Sequence, residues 1–101
     1  MTELDKLEAY LKKNGIVYRR IEDPHKALCE HYEGFGERHQ IIVYDRRGRR
    51  QWDAICQWGS YGYDEGLLEI YDNIVDRGKD GDDVVGYLTA REVIARAEGR
   101  A

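Results

Sequence analysis

The chain has 101 residues, of which 42% are hydrophobic, 36% charged and 11% aromatic, and its 16 Lys and Arg stand against 20 Asp and Glu. This length corresponds to one small domain, residues 1–101, and excludes a large internal active site, so a two-substrate cofactor enzyme is disfavoured. The charged fraction does not imply disorder, because two Trp, eight Tyr and one Phe accompany a normal share of aliphatic residues. We therefore expect a folded domain that carries no cofactor.

The N-terminal residues have neither the basic segment nor the apolar segment of a leader, and no run approaches the roughly 18 apolar residues of a membrane span. These features predict a cytoplasmic protein without membrane contact, in which Cys29 and Cys56 are reduced thiols rather than a disulfide. The net charge of −4 conceals an asymmetry. Residues 38–51 contain five Arg and one Asp, whereas residues 64–85 contain eight acidic residues against Arg77 and Lys79.

The first elements are a helix and a strand. Leu4, Leu7 and Leu11 have helical spacing, which predicts a helix over residues 2–14 with Thr2 as its N-cap. Residues 16–22 are rich in β-branched and aromatic side chains and predict a strand that Pro24 closes. Residues 25–38 allow a helical turn, but their glycines favour a mobile loop.

The strongest pattern is a β-hairpin, with strands over residues 39–45 and 50–57 and a glycine-containing turn between them. A glycine-rich loop follows over residues 58–66. Residues 67–75 fit one face of a helix, although residues 68–70 would also fit a strand, and residues 76–86 are expected to form a loop. Thr89 and Glu92 form a capping box that predicts a last helix over residues 90–97. The predicted fold is α+β: an antiparallel sheet of about three strands with a central hairpin, packed against N-terminal and C-terminal helices.

The sequence suggests two candidate metal sites, one for zinc and one for calcium. Zinc would require four convergent ligands from His25, Cys29, His31 and His39, with Cys56 as an additional candidate, although their spacing matches no paired ligand pattern. Calcium would use Asp80, Asp82 and Glu92, which resemble part of an EF-hand loop. Three intervening residues and the capping role of Glu92 count against calcium, so the first expectation is that no metal binds.

Catalysis has little support in the sequence. Residues 59–62 lack a phosphate-loop pattern, and Ser60 lacks the G-x-S-x-G pattern of a nucleophile elbow. Cys56 has no cationic neighbour in sequence that would lower its pKa. Asp53 alternates with Trp52 and Ala54, so it is expected to face solvent or to pair with an arginine. We therefore predict that the protein is not an enzyme.

Two segments suggest binding surfaces. The hairpin turn carries Arg46, Arg47, Arg49 and Arg50, which can contact phosphates or an acidic protein, or can simply keep the turn soluble. The glycine-rich loop carries Trp58, Tyr61 and Tyr63, and aromatic residues on such a loop are typical of recognition surfaces. They would equally serve as a lid over the core of a small domain.

Four segments carry a resemblance: QWDAIC at 51–56, GSYGY at 59–63, GLLEI at 66–70 and GYLTA at 86–90. They are similar to short uncharacterised proteins of bacterial prophages and mobile elements, and the similarity spans residues 39–97. The resemblance implies no catalytic or binding residue. It favours an accessory protein that acts on a host partner, for example by inhibiting a defence system.

The first functional hypothesis is therefore a non-enzymatic cytoplasmic domain that binds a protein partner through the aromatic loop. In this hypothesis, the basic hairpin tip steers an acidic protein or a nucleic acid towards the domain. The alternatives are a small calcium- or zinc-binding domain and nucleic-acid binding through the basic hairpin tip, which would weaken steeply with salt.

Overall fold

The computed structural model describes residues 1–23, 38–57, 60–72 and 84–99, which form an α+β fold with a five-stranded antiparallel sheet. Its elements, in chain order, are α1 (Glu3–Lys13), β1 (Tyr18–Asp23), β2 (Arg38–Tyr44), β3 (Arg50–Ile55), a 3-10 helix (Tyr63–Glu65), β4 (Leu68–Asp72), β5 (Val84–Leu88) and α2 (Ala90–Ala97). The two helices contact each other and the same face of the sheet. Among the described residues, no helix combines the length and the apolar character that are needed to cross a membrane.

Helix α1 begins and ends as predicted. The Thr2 hydroxyl accepts a hydrogen bond from the Asp5 amide at 3.0 Å, and the Asp5 carboxylate accepts one from the Thr2 amide at 2.9 Å, so two amides at the helix start are satisfied. Leu4, Leu7 and Leu11 follow at helical spacing and are all buried. Helix α2 repeats this capping arrangement with Thr89 and Glu92, which confirms the predicted capping box.

The predicted hairpin is confirmed as β2 and β3, and every strand pairs with its neighbour in sequence, in the order β1-β2-β3-β4-β5. Ile41 lies opposite Ala54, and Val43 lies opposite Trp52. These four side chains face the helices, where they join Leu7 and the other buried residues of the core. Alternation along β2 and β3 therefore places their intervening residues, such as Gln40, Ile42 and Asp53, on the far face of the sheet.

The prediction of about three strands was too low. Residues 67–75, whose pattern fitted a helix face, contain strand β4, and residues 84–86, predicted as loop, begin strand β5. The local pattern did not decide between helix and strand, because the contacts that select the strand come from distant residues. Ile70 pairs with Ala54 on one side and with Val85 on the other. A strand with a neighbour on both sides gains stability from burial and pairing that a short window of sequence does not contain.

Arg20 links β1 to α1. Its guanidinium lies 2.8 Å from the Asp5 carboxylate and 3.1 Å from that of Glu8, and a third carboxylate, that of Glu22, lies at 2.6 Å. At the other side of α1, the Glu3 carboxylate accepts a hydrogen bond from the Ala90 amide at 2.8 Å. Charged groups thus hold α1 against both the sheet and the start of α2.

Acidification is expected to weaken this arrangement. Hydrogen bonds from the Thr2 amide and then from Arg20 lower the pKa of Asp5 from 3.8 to about 2. A lowered pKa in the folded state contributes stability above the ordinary pKa and loses it as the pH falls through the folded value. We expect the urea midpoint to fall between about pH 4 and pH 2, and to fall less in Asp5→Asn, which keeps an acceptor for Thr2. If the urea midpoint fell equally steeply with pH in the wild type and in Asp5→Asn over this range, the prediction would be contradicted.

Candidate functional site

The two predicted binding surfaces lie at opposite ends of β3. The arginine-rich turn precedes Arg50, and the glycine-rich loop follows Ile55. A strand of six residues is about 20 Å long, because each residue adds about 3.3 Å. The structure therefore separates the basic tip from Tyr61 and Tyr63, and these residues do not form one continuous surface. Trp58 lies outside the described residues.

A tight turn presents Tyr61. The Ser60 hydroxyl donates to the Gln57 carbonyl at 2.7 Å and accepts from the Gln57 amide at 3.0 Å, which explains the position of Ser60 without any nucleophilic role. The Tyr61 amide donates to the Glu69 carboxylate at 3.0 Å. The Tyr61 side chain is 57% exposed, so it is on the surface and does not cover the core.

Tyr87 lies beside Tyr61, and the sequence patterns did not single it out. Strand pairing shifts between Leu68 and Ile70, so that Gly86 and Tyr87 together lie opposite Glu69 in a bulge. Tyr87 has a φ of +59° and is 58% exposed. The left-handed region is unfavourable for a bulky residue by about 1–2 kcal/mol. The bulge thus holds a large aromatic side chain in solvent at a cost in stability.

Close backbone contacts fix the two tyrosines relative to each other. The Tyr87 amide donates to the Tyr61 carbonyl at 3.3 Å. A Cβ atom on Gly86 would lie 2.3 Å from the Tyr61 Cβ, so a side chain does not fit there. A Cβ on Gly62, whose φ is +98°, would lie 2.9 Å from the Leu67 Cβ and 3.1 Å from the Tyr87 Cα. The two glycines therefore allow the turn to pack directly on β5.

We use the name tyrosine surface for Tyr61, Tyr63 and Tyr87 together with Asp64 and Glu65. These residues surround a shallow cavity of about 300 Å³. Tyr63 is partly buried, while Asp64 and Glu65 are exposed. Neither carboxylate has a salt bridge within the described part of the chain. The site thus combines aromatic rings with unpaired negative charge.

A polar cluster of Gln40, Asp53 and Glu69 lies on the sheet face away from the helices, and Glu69 connects it to the tyrosine surface through the Tyr61 amide. Of the two alternatives predicted for Asp53, the structure bears out pairing with an arginine, since its carboxylate lies 3.1 Å from Arg50 and the residue is only 7% exposed. Gln40 also donates to the Asp53 carboxylate, at 2.8 Å. Burial raises the pKa of Glu69, and the nearby Asp53 carboxylate raises it further, while the hydrogen bond from Tyr61 opposes both.

The basic tip is ordered by an aspartate. The Asp45 carboxylate accepts hydrogen bonds from the Arg47 amide at 2.8 Å and from the Arg49 amide at 3.0 Å, and the Arg49 Nε lies 3.2 Å away. The amide hydrogen bond from Arg49 is the main reason why the pKa of Asp45 is lowered. Arg49 and Arg50 thus have acidic partners, whereas Arg46 and Arg47 have no salt bridge within the described ranges.

His39, in β2, and Cys56, directly after β3, line a second cavity of about 670 Å³ on the helix side of the sheet. The Cys56 amide donates to the His39 carbonyl at 3.0 Å, and the His39 Nδ1 lies 3.8 Å from the Glu22 carboxylate. Burial raises the pKa of the Cys56 thiol, so the neutral form dominates at neutral pH. This arrangement does not activate the thiol as a nucleophile.

The metal hypotheses fall largely on residues that the structure does not describe. His25, Cys29 and His31 of the zinc hypothesis lie there, as do Asp80 and Asp82 of the calcium hypothesis. Glu92 lies in α2, where its carboxylate accepts a hydrogen bond from the Thr89 amide at 3.1 Å. Within residues 1–23, 38–57, 60–72 and 84–99, no three potential metal ligands converge.

Comparisons with known proteins found no matching protein family, no similar curated protein and no similar solved structure.

Proposed function

We propose that this protein is a non-enzymatic interaction domain that binds a protein partner through the tyrosine surface. The observation that carries the proposal is Tyr87, which a bulge holds in an unfavourable backbone conformation with more than half of its side chain in solvent. Strained conformations of this kind concentrate at functional sites, because the surrounding structure must offset their cost. A tyrosine that served only packing would be buried, and an exposed bulge would more readily contain glycine or asparagine.

The composition of the surface favours a basic partner. Tyrosines contribute a large contact area at low entropic cost, and they dominate the energetics of many protein interfaces. Arginine and lysine side chains bind well over tyrosine rings. Asp64 and Glu65 border the same cavity and supply opposite charge. The proposed partner segment therefore carries arginine or lysine side chains beside an apolar contact.

This proposal places the protein among accessory proteins that act on a partner made by the host, as the resemblance to proteins of mobile elements implies. The activity would consist of occupying a basic site on that partner, and it requires no chemistry from this chain. Inhibition of a host defence protein is one form that such an activity would take.

Replacing Tyr87 with glycine separates an interaction role from a structural role. Glycine removes the strain of the left-handed conformation, but it costs about 0.5–1 kcal/mol through its greater freedom in the unfolded state. We therefore expect the free energy of unfolding, measured by urea titration, to stay within about 1 kcal/mol of the wild type. Capture of a basic bacterial protein by the immobilised domain is expected to fall at least tenfold, measured by quantitative mass spectrometry.

Val17→Ala provides a control, because Val17 is 63% exposed at the end of the molecule away from the tyrosine surface. It should capture the same protein as the wild type. In a parallel NMR titration, an arginine-rich peptide should shift the amide resonances of Tyr61, Gly62 and Tyr87. Undiminished capture by Tyr87→Gly, or peptide-induced shifts that avoid these residues, would overturn the proposal.

A further inference from the structure

We infer that the end of the molecule opposite the tyrosine surface is a binding site for single-stranded nucleic acid. Here the segment that follows α1 meets the hairpin turn, and exposed cations lie in or beside both segments. Asn14 and Gly15, which follow α1, line the same groove as Asp45 and Arg46 of the hairpin turn. Of the cations on these two segments, Arg46 lines the groove, while Lys12, Lys13 and Arg47 lie within two positions of a lining residue, and all four are exposed.

The positive charge at this end is available to a ligand. Asp45 is the acidic residue in the groove lining, but its carboxylate is already bonded to the Arg47 and Arg49 amides and to the Arg49 side chain. Within the described residues, Lys12, Lys13, Arg46 and Arg47 form no salt bridge. An overall charge of −4 thus coexists with exposed cations in and beside the two segments that meet at this groove, and these cations can contact phosphates.

The groove itself favours nucleic acid over an acidic protein. It has a volume of about 430 Å³, and its lining contains the half-buried rings of Tyr10 and Tyr44, while Trp52, which it also touches, is only 4% exposed and belongs to the core. The Asn14 and Gln51 amides share this lining and can hydrogen-bond to base edges. Aromatic residues within a positively charged groove are typical of sites that stack unpaired bases, whereas a duplex hides the faces of its bases from such a groove.

The test is fluorescence anisotropy with labelled 12-nucleotide oligo(dT) and oligo(rU), and with a duplex of equal length. Either single strand should bind more tightly than the duplex. The logarithm of affinity should fall with the logarithm of salt concentration with a slope of about −2 to −3.5, which corresponds to three to five phosphate contacts. A polyglutamate chain of similar charge should compete poorly.

Variants divide the site into its electrostatic and stacking parts. Arg46→Ala combined with Arg47→Ala should reduce the magnitude of the salt slope by about 1.4, because two phosphate contacts are lost. Tyr44→Leu should lower affinity about 5- to 150-fold and leave the slope unchanged, since it removes a stacking ring but no charge. Gln51→Ala, at an exposed position, tests the same groove if Tyr44→Leu does not fold.

Arg91→Ala is the matched control, because Arg91 is an exposed arginine in the first turn of α2, at the opposite end of that helix from the groove-lining Ala97. It should bind like the wild type. Equal or tighter binding of the duplex, polyglutamate that competes as well as the oligonucleotides, or no binding at 20 mM salt would each overturn the inference. Because the tyrosine surface has no residue in common with this groove, Tyr87→Gly should leave oligonucleotide binding intact.

Discussion

Replacing Gly86 with alanine is expected to displace Tyr61 and to remove binding of the partner protein. The added Cβ would lie 2.3 Å from the Tyr61 Cβ and 3.0 Å from the Tyr61 carbonyl oxygen, so backbone atoms of the turn would have to move. Such a movement would break the hydrogen bond from the Tyr61 amide to Glu69. Overpacking of this kind costs about 1–3 kcal/mol, which urea unfolding would measure. We expect more than a tenfold loss in capture of the partner.

A loss of stability alone could also lower capture, and Gly15→Ala controls for that effect. Gly15 has a φ of +64° and no atom within 4 Å of an added Cβ, so alanine there costs about 1–2 kcal/mol through backbone strain only. It follows α1, at the end of the molecule away from Tyr61. Gly15→Ala should therefore lose stability and keep capture. Retained capture in Gly86→Ala, or equal losses in the two variants, would show that the geometry of the turn does not determine binding.

Replacing Leu7 with alanine is expected to have the largest effect on stability. Leu7 is fully buried on α1, where it belongs to the core cluster formed by the helices and the sheet. Truncation of a buried leucine removes its transfer free energy and leaves a cavity, at a cost of about 2–5 kcal/mol. A domain of this size has a total stability of about 5–15 kcal/mol. The variant should therefore show a clear fall in both its thermal and its urea midpoints.

Lys13→Ala serves as the comparison, because Lys13 is exposed on the same helix. Its effect should stay within about 0.5 kcal/mol, as is usual for surface positions. If Leu7→Ala were as mild as Lys13→Ala, the packing of α1 on the sheet would differ from that described above. The tyrosine surface can be assayed in Leu7→Ala at low temperature, and any folded fraction should still bind the partner.

The elements that the sequence predicted well are those whose stabilising contacts lie close together in the chain. Thr2 and Asp5 cap α1 three residues apart, and Thr89 and Glu92 do the same for α2. The hairpin turn is likewise held by Asp45 and residues within four positions of it. Local signals of this kind are present in any short window, so the predicted α1, α2 and hairpin are confirmed.

The errors concern elements that depend on distant residues. Strand β4 lies between β3 and β5, and the pairing of Ile70 with Ala54 spans 16 positions. The burial of Asp53 also involves a distant residue, because Gln40, 13 positions away, donates to the Oδ2 atom of its carboxylate, which the nearby Arg50 also contacts. The alternation of side chains along β3 correctly placed Asp53 on the sheet face opposite Trp52, but it could not show that Asp53 is buried on that face. Tertiary context therefore decided both cases.

The candidate site was predicted only in part. The glycine-rich loop correctly drew attention to Tyr61 and Tyr63, but Tyr87 lies 24 positions beyond Tyr63 and joins them through a bulge. The only local signal was the pair Gly86-Tyr87, in which a glycine precedes an aromatic residue inside an otherwise apolar strand. Isolated glycine in a strand suggests a bulge or a close approach of backbone, and both are present here.

The bulge in β5 also limits how the proposed partner would be recognised. In the described part of the sheet, β5 is an edge strand, and such an edge usually offers unpaired amides and carbonyls to an extended peptide. At this edge, Tyr87 is in a left-handed conformation, and its amide already bonds to the Tyr61 carbonyl. An incoming strand therefore cannot continue the ladder through Tyr87. Under the proposed function, recognition at Tyr87 would rely on side chains, so a helical or looped partner segment fits the proposal, and the same interruption disfavours pairing of this edge with another sheet.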